Sequence, residues 1–328
     1  LPLTYRAAAN EIGAAAELTL RIGGVAWKEL PTLYGAKPTD RVFALTTDEQ
    51  GRLFVGFGDG LDGARLPSGV NNVQAVYRKG IGEDGNVAAN SLTQLMTRPL
   101  GLKSVANPLA AEGGADPEPA SAARRTIPLT TRTLGRAVSV LDYEDFARAF
   151  SGIAKAQARV LNVHAGVTVA ITLAAPEGEV ITSASPVWQH LLAALKASGD
   201  PHVAVTLLSL QTSTFRLGIR VKVDPDYETT EVLADVEAAL RAHFSFDARD
   251  LGAPVHQSDV IATAQAVPGV AAVDMTRLYG GTQPVAQTLP SLQVRLLASR
   301  MRVVSGVALP AELLTLDPGP FDDLEVMP

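Results

Sequence analysis

The 328-residue chain has no cysteine, which excludes disulfides, thiolate catalysis and Cys-ligated zinc or iron–sulfur centres. The redox compartment is therefore unmarked. Aromatic residues are scarce, at 5% with two Trp, so the platforms on which carbohydrate-binding modules commonly rely have little material. Positive charge is in deficit: 28 Lys and Arg face 34 Asp and Glu, for a net charge of -6. A general nucleic-acid binder would show a basic footprint instead. No run of about 18 apolar residues suggests an ordinary transmembrane helix. No signal-peptide pattern is read, and the opening Leu1-Pro2 suggests a fragment or a processed product. What is plentiful is apolar material, 47% of residues, enough for sizeable cores and against disorder as the main state. The length sets a prior of two to three domains.

Gly (28) and Pro (21) are unevenly placed, and their distribution suggests the organisation. Residues 1–105 read as a β-rich, glycine-rich small barrel or sandwich domain. Leu18 to Ile22 alternates, and Arg41 to Thr47 leads through an Asp48–Gly51 turn to a return strand, Arg52 to Phe57. Asn72 to Arg78 alternates Val73, Ala75 and Tyr77 on one face. Residues 106–155 read as a linker arm and helix. Asn107 to Pro119 is a loop by composition. Thr126 to Thr133 shows no helix face and reads as extended, able to pair with another chain. A helix then starts at Asp142 as N-cap, with Tyr143, Phe146, Ala147 and Phe150 on one face and Gly152 past its end.

Residues 156–212 read as a central α+β module and 213–282 as a second one. Strands are expected at Arg159–His164, Val167–Leu173 and Val203–Leu208, with a helix opened by Ser185-Pro186. Phe215 to Val223 alternates almost without fault. A helix presenting Val232, Val236 and Leu240 follows, then one capped by Ser258 and stopped at Pro268-Gly269, then a strand, Val270 to Met275. The order ββαβ then βααβ suggests small ferredoxin-like (split βαβ) layers in an α+β multi-domain chain. Residues 283–328 read as a C-terminal strand, Leu292 to Leu297, and an acidic tail.

Local chemistry is thin. Two G-x-G-x-x-G matches occur, Gly58–Gly63 and Gly80–Gly85. A dinucleotide site needs a long helix behind the loop, and Ala64 to Gly69 cannot form one. Asp59, Asp62, Glu83 and Asp84 lack EF-hand spacing and suit turn chemistry. The five histidines include no i, i+3 or i, i+4 pair, and no G-x-S-x-G elbow exists. The carboxylates Asp142, Glu144 and Asp145 fit a helix start. Four arginines, Arg124, Arg125, Arg132 and Arg136, occupy a stretch with no acid between Glu118 and Asp142. That island could meet phosphates or an acidic partner surface. No catalytic, metal-binding or cofactor-binding residue is expected.

Read as one string, the glycine stretch says more. Phe57-Gly58-Asp59-Gly60, Gly63-Ala-Arg-Leu-Pro67-Ser-Gly69 and Asn71-Asn72-Val73, with Tyr77-Arg78, Gly80, Gly82 and Gly85-Asn86-Val87, resemble the baseplate J family of contractile-tailed phages and contractile injection systems. Arg98-Pro-Leu-Gly101, Asn107-Pro108, Gly113-Gly114, Asp116-Pro117-Glu118, Arg124-Arg125, the helix from Asp142-Tyr143 and the Pro268-Gly269-Val270 turn continue the likeness. It spans roughly 20–280 and is strongest over 52–156.

The resemblance implies a structural baseplate wedge component with no enzymatic activity. It would link wedges into a ring around a hub and couple tip triggering to sheath contraction. Implied partners are other wedge subunits, neighbouring copies of itself, and hub and first sheath-layer proteins, with no nucleic acid, cofactor or membrane span. Assembly in the bacterial cytoplasm into a phage tail or injection particle is implied. So is a missing N-terminal part, since family members are often longer. Phe57, Gly58, Asp59, Gly60, Asn72, Tyr77, Arg78, Gly85, Asn86, the four arginines, Asp142 and Tyr143 are the expected structural or interface positions. The 107–119 stretch is the hinge candidate. A carbohydrate-binding or carbohydrate-cleaving tail module is the alternative, and a nucleotide-dependent enzyme a further one.

Overall fold

The computed structural model describes residues 3–48, 52–97, 99–111, 114–118, 120–282 and 292–327. The chain is mixed α+β and forms two units, one of Leu1–Arg6 with Ala14–Ala123, the other of Ala7–Gly13 with Arg124–Pro328.

Short strands β1 (Tyr5–Ala7) and β2 (Ala14–Ala16) open the chain. In the first unit, β3 (Leu18–Ile22) turns at Gly23-Gly24 into β4 (Val25–Ala26). Both glycines have positive φ, which a two-residue hairpin turn of this hand requires. β5 (Lys28–Glu29) runs parallel to β6 (Val42–Thr47), and β6 pairs antiparallel with β7 (Leu53–Phe57), Phe43 facing Phe57. β8 (Val73–Tyr77) returns along the other edge of β3. The alternation read in β3 holds: Leu20 and Ile22 are buried with Trp27 and Phe43, and Leu18, Leu45, Val55 and Phe57 pack on them. These two three-stranded sheets share one small core, and the described ladders do not close into a barrel. The hairpin between β6 and β7 is as expected. Of its turn, Glu49 to Gly51 lie outside the described residues, as do Arg98, Gly113 and Pro119 of the motif string.

Where an extended 126–133 was expected, the chain forms a helix, α1 (Ala120–Thr133), which enters the second unit at Arg124. Pro128 inside it removes one backbone donor, and Thr126, Thr130, Thr131 and Thr133 weaken helix propensity, which hid it. Burial of Leu129 and Thr133 on one face offsets both costs. α2 (Val140–Ala149) buries the expected Tyr143, Phe146 and Ala147, with Phe150 just beyond. Its N-cap is Ser139, not Asp142. Ser139 Oγ accepts from the Asp142 N–H, and the Asp142 carboxylate accepts from the Ser139 N–H, a reciprocal capping box.

β9 (Lys155–Val163) and β10 (Gly166–Ala174) form the expected hairpin, and α3 (Pro186–Ser198) opens on Ser185 as N-cap. α3 carries the chain to β11 (Ala204–Ser209), parallel to and directly beside β10. No strand is inserted between the parallel pair, so this module is a plain βαβ unit with a hairpin strand, not the split βαβ expected. Its core joins α2, α3 and the sheet through Tyr143, Phe146, Phe150, Ile171, Leu173, Leu191 and Leu195.

β12 (Gln211–Val223) extends the alternating strand back to Gln211. α4 (Thr229–His243) packs Val232, Val236 and Leu240 inward. β13 (Val255–His256) precedes α5 (Gln257–Gln265), whose N-cap is His256 rather than Ser258. β14 (Val270–Gly280) then pairs antiparallel with β12. The C-terminal stretch is not a tail. After β15 (Arg295–Leu296) and the hairpin β16 (Arg302–Val304) and β17 (Val307–Leu309), β18 (Glu312–Leu316) and β19 (Asp323–Val326) both pair parallel with β12. Phe215, Leu217, Ile219 and Val221 are thereby fully buried against Val236, Leu240, Phe244 and Val260. Each such side chain stabilises the fold by about 1.5–3 kcal/mol.

The acids of that segment close over β12. Alternation turns Arg216 away from the apolar core, and residues 317–322 wrap it. Its guanidinium donates to Asp322 and Asp317 Oδ1 (2.8 and 2.9 Å) and to the Pro320 carbonyl at 2.7 Å. Arg277 lies within 3.6 Å of Asp322 and 3.3 Å of Asp323, the Tyr279 hydroxyl bonds Asp322, and Arg241 donates to the Gly319 carbonyl.

Candidate assembly interface

The glycine string builds turns in the first unit. Gly58 packs backbone to backbone on Gly63: a Cβ on Gly58 would fall 2.2 Å from the Gly63 carbonyl carbon, so no side chain fits. Gly60 and Gly63 both have positive φ, which glycine adopts without steric cost. Asp59 closes the turn, accepting the Leu61 and Asp62 N–H groups at 2.8 and 3.0 Å. Those backbone donors hold its carboxylate below the ordinary range. Phe57 meets Trp27 edge to face at 5.7 Å. Asn72 donates to the Pro67 carbonyl at 2.7 Å. Arg78 bonds through its backbone to Thr4 and Glu17. The Tyr77 ring is half exposed, with the Lys79 ammonium 5.7 Å above it. Neither G-x-G-x-x-G match leads into a long helix; the second folds as a 3₁₀ turn, Gly82–Gly85.

Gly85-Asn86 begins a long excursion. The Asn86 amide bonds the Gly114 backbone in both directions at 2.8 Å, and the Ala111 N–H reaches Val87 O. Asp116 accepts from the Glu83 N–H at 3.0 Å. Higher up, Asn107 donates to Ala88 O and Leu109 O and accepts from the Leu92 N–H. Between these clasps, Met96 and Leu100 stand fully in solvent, and Leu92 and Leu102 are more than half exposed. A compact loop pinned at its base and apolar at its tip has the form of a binding loop.

In the second unit, Arg132 pairs with the buried Asp145 at 3.1 Å. Asp142 is consumed by the cap, and the Ser139 N–H is the main cause of its lowered pKa. Tyr143 is buried beside Gly199, and burial raises its phenol. Arg124, Arg125 and Arg136 are exposed and make no ion pair among the described residues. Arg125 adds to a local positive field. Burial chiefly lowers the Lys155 ammonium; Arg125 and Arg148 push the same way, while Asp250 and Asp247 oppose them. Ile127, Leu134, Val138 and Leu141 are exposed in the same stretch.

The candidate positions therefore fall in two places, turns and clasps of the first unit and the α1–α2 segment of the second. Among the described residues no cluster of three His, Asp or Glu could hold a metal, and no helix is long and apolar enough to cross a membrane. Two surface hollows among the described residues lie in the second unit. One lies between α4 and α5, among Ala239, Ala242, Ala262 and Ala266, with Asp235 and His243 at its wall. The other is lined by Glu177, Arg241 and Phe246. Thr263 also lines the first hollow, and its hydroxyl donates to the Asp259 carbonyl at 2.7 Å.

Residues 135–208 match a family model described as the baseplate J-like central domain. This chain carries a baseplate J-like central domain. The family resemblance read from the sequence is thus borne out, over residues 135–208. The J-like domain coincides with α2, β9, β10, α3 and β11. No curated protein sequence matches the chain. Among solved structures, a chain of the cryo-EM structure of the anti-feeding prophage baseplate, 6-fold symmetrised, is similar at 14% identity and a TM-score of 0.39. That similarity covers 97% of this chain and 72% of the other.

Sequence reading missed Ser139 and Leu134, and placed Asn107 in the family string without a role. The Ser139-x-x-Asp142 spacing was the signal for the first. Nothing local marks Leu134.

Proposed function

We propose that this protein is a structural wedge component of a contractile injection machine or phage tail, without enzymatic activity. The observation that carries the reading is the J-like domain over residues 135–208. In this reading the chain joins wedges into a ring around a hub, touches copies of itself, other wedge subunits and first sheath-layer proteins, and passes a tip signal to the sheath. Two exposed features favour several simultaneous partners. The 86–116 loop offers apolar tips from a pinned base, and the α1–α2 segment offers apolar residues among arginines. Asn72, Gly58, Gly60 and Asp59 would hold the first unit's turns, and Tyr77 would face a neighbour. The 107–119 stretch would be a hinge on ring rearrangement. Assembly would precede release from the bacterial cytoplasm.

The test is a tagged chain recovered from its native source and viewed by negative-stain electron microscopy. Sheathed rods or six-fold rings labelled at one end are expected. A lone monomer from cells that make sheath would refute the wedge reading.

A further inference from the structure

We propose that the outward face of α1 and the turn after it dock an acidic amphipathic segment of a neighbouring protein. The inference rests on the assembly reading above and gives that reading a partner chemistry. Helical spacing places Arg124, Ile127 and Thr131 opposite the buried Leu129 and Thr133, so this face points to solvent. Leu134 continues the row. It lies just past the helix with φ +49°, a left-handed conformation that a leucine adopts only at a cost, and it is 71% exposed. Fold stability alone favours glycine there. Leucine instead pays backbone strain to hold an apolar side chain in water, which is the pattern of a residue kept for contact with something else. Val138 adds to it at 82% exposure.

Charge selects the occupant. Arg124 lies in this row and Arg136 follows Leu134 in the chain, both exposed and without an ion pair among the described residues, whereas helical spacing turns Arg125 toward the Leu129 side. The nearby carboxylates are otherwise engaged or few: Asp145 is buried with Arg132, Asp142 caps α2, Glu11 lies against Gly135, and Asp247 and Asp250 act on Lys155. An apolar strip edged by free guanidinium groups complements leucines edged by carboxylates. A nucleic acid would leave the apolar row uncovered, and a basic or purely apolar segment would leave the arginines desolvated and unpaired.

Two arms test this. The purified full chain is titrated with a fluorescent helical peptide carrying Leu at i, i+3, i+4 and i+7 and Glu elsewhere, and with its Lys twin. The Glu peptide is expected to bind at least tenfold tighter. Arg124→Glu with Arg136→Glu, and separately Leu134→Gly, should each weaken it about tenfold, with melting temperature held or raised in Leu134→Gly. Equal binding of the twins, or no binding, overturns the inference. In the second arm a photo-crosslinking residue replaces Val138 in particles, with Val167 on the β9–β10 hairpin as control. A crosslink from 138 alone to a protein segment rich in Asp or Glu supports the inference. A crosslink to nucleic acid or to a basic segment, or none in particles that contain the chain, overturns it while leaving the assembly reading intact. If the chain never enters particles yet prefers the Glu peptide, the assembly reading fails and the docking surface stands.

Discussion

Replacing Arg216 with methionine should unlock the C-terminal strands. Arg216 and Asp322 are almost wholly buried, with side-chain exposures of 7% and 1%. Methionine keeps the apolar stem but removes donors to two carboxylates and one carbonyl. Asp322 retains Arg277 and Tyr279, whereas Asp317 loses its side-chain partner. Breaking a buried pair by removing one member costs about 3–5 kcal/mol, because the survivor is left desolvated. For a unit of this size each kcal/mol shifts the melting temperature by about 2–4 °C, so a fall of about 6–20 °C is expected. Hydrogen exchange should report where the loss falls: amides of β18 and β19 and of the β12 residues they pair with should lose protection before those of β9 and β10. The assays are differential scanning calorimetry and amide exchange on the purified chain. A loss under about 1 kcal/mol with β19 still protected would refute the reasoning, since the cluster would then be no latch.

Four other outcomes are expected. Gly58→Ala should destabilise the first unit by about 1–3 kcal/mol, because the new methyl meets backbone rather than a movable side chain; denaturant melts followed by Trp27 fluorescence report it. Asn86→Ala removes both amide bonds to Gly114 and should speed proteolysis within 92–105 several-fold while leaving the second unit's melting unchanged, read by limited digestion and mass spectrometry. Ser139→Ala should cost about 1 kcal/mol through the lost N-cap of α2. The Asp142 carboxylate has a lowered folded pKa, so its contribution is present above its unfolded pKa, near 4, and lost as pH falls through the folded one; Asp142→Asn should flatten the acid limb of stability against pH, measured by melts from pH 5 to pH 2.

Much of the fold was legible because it is local. Tyr143, Phe146, Ala147 and Phe150 share a helical face, and all four are buried. Phe215 to Val223 alternates, and the apolar set lies inside. What stayed hidden depends on distant partners. β18 and β19 lie about 100 residues from the strand they join, and nothing near Asp317 or Asp322 announces Arg216. α1 was masked by Pro128 and threonines until burial of Leu129 and Thr133 outweighed propensity. The β8 pattern gave the strand but not its surroundings, since Val73, Val76 and Tyr77 are all exposed. The turn chemistry of the first unit was legible in its glycines, as the close backbone approach of Gly58 to Gly63 demonstrates.

The parallel pairing of β12 with β18 and β19 sets a schedule for biosynthesis. About 90 residues separate the end of β12 from the start of β18. At about 5–20 residues per second, a ribosome needs roughly 5–20 s to make them. Throughout that interval β12 has one long hydrogen-bonding edge bare beside the face that carries Phe215, Leu217, Ile219 and Val221. Nascent copies on one polysome are close neighbours with identical bare edges, so crowded translation is the moment at which this protein is most exposed to pairing with itself out of register. The J-like domain, complete by residue 208, can fold ahead of that interval around its α2–α3 core and keep about a third of the second unit out of the hazard.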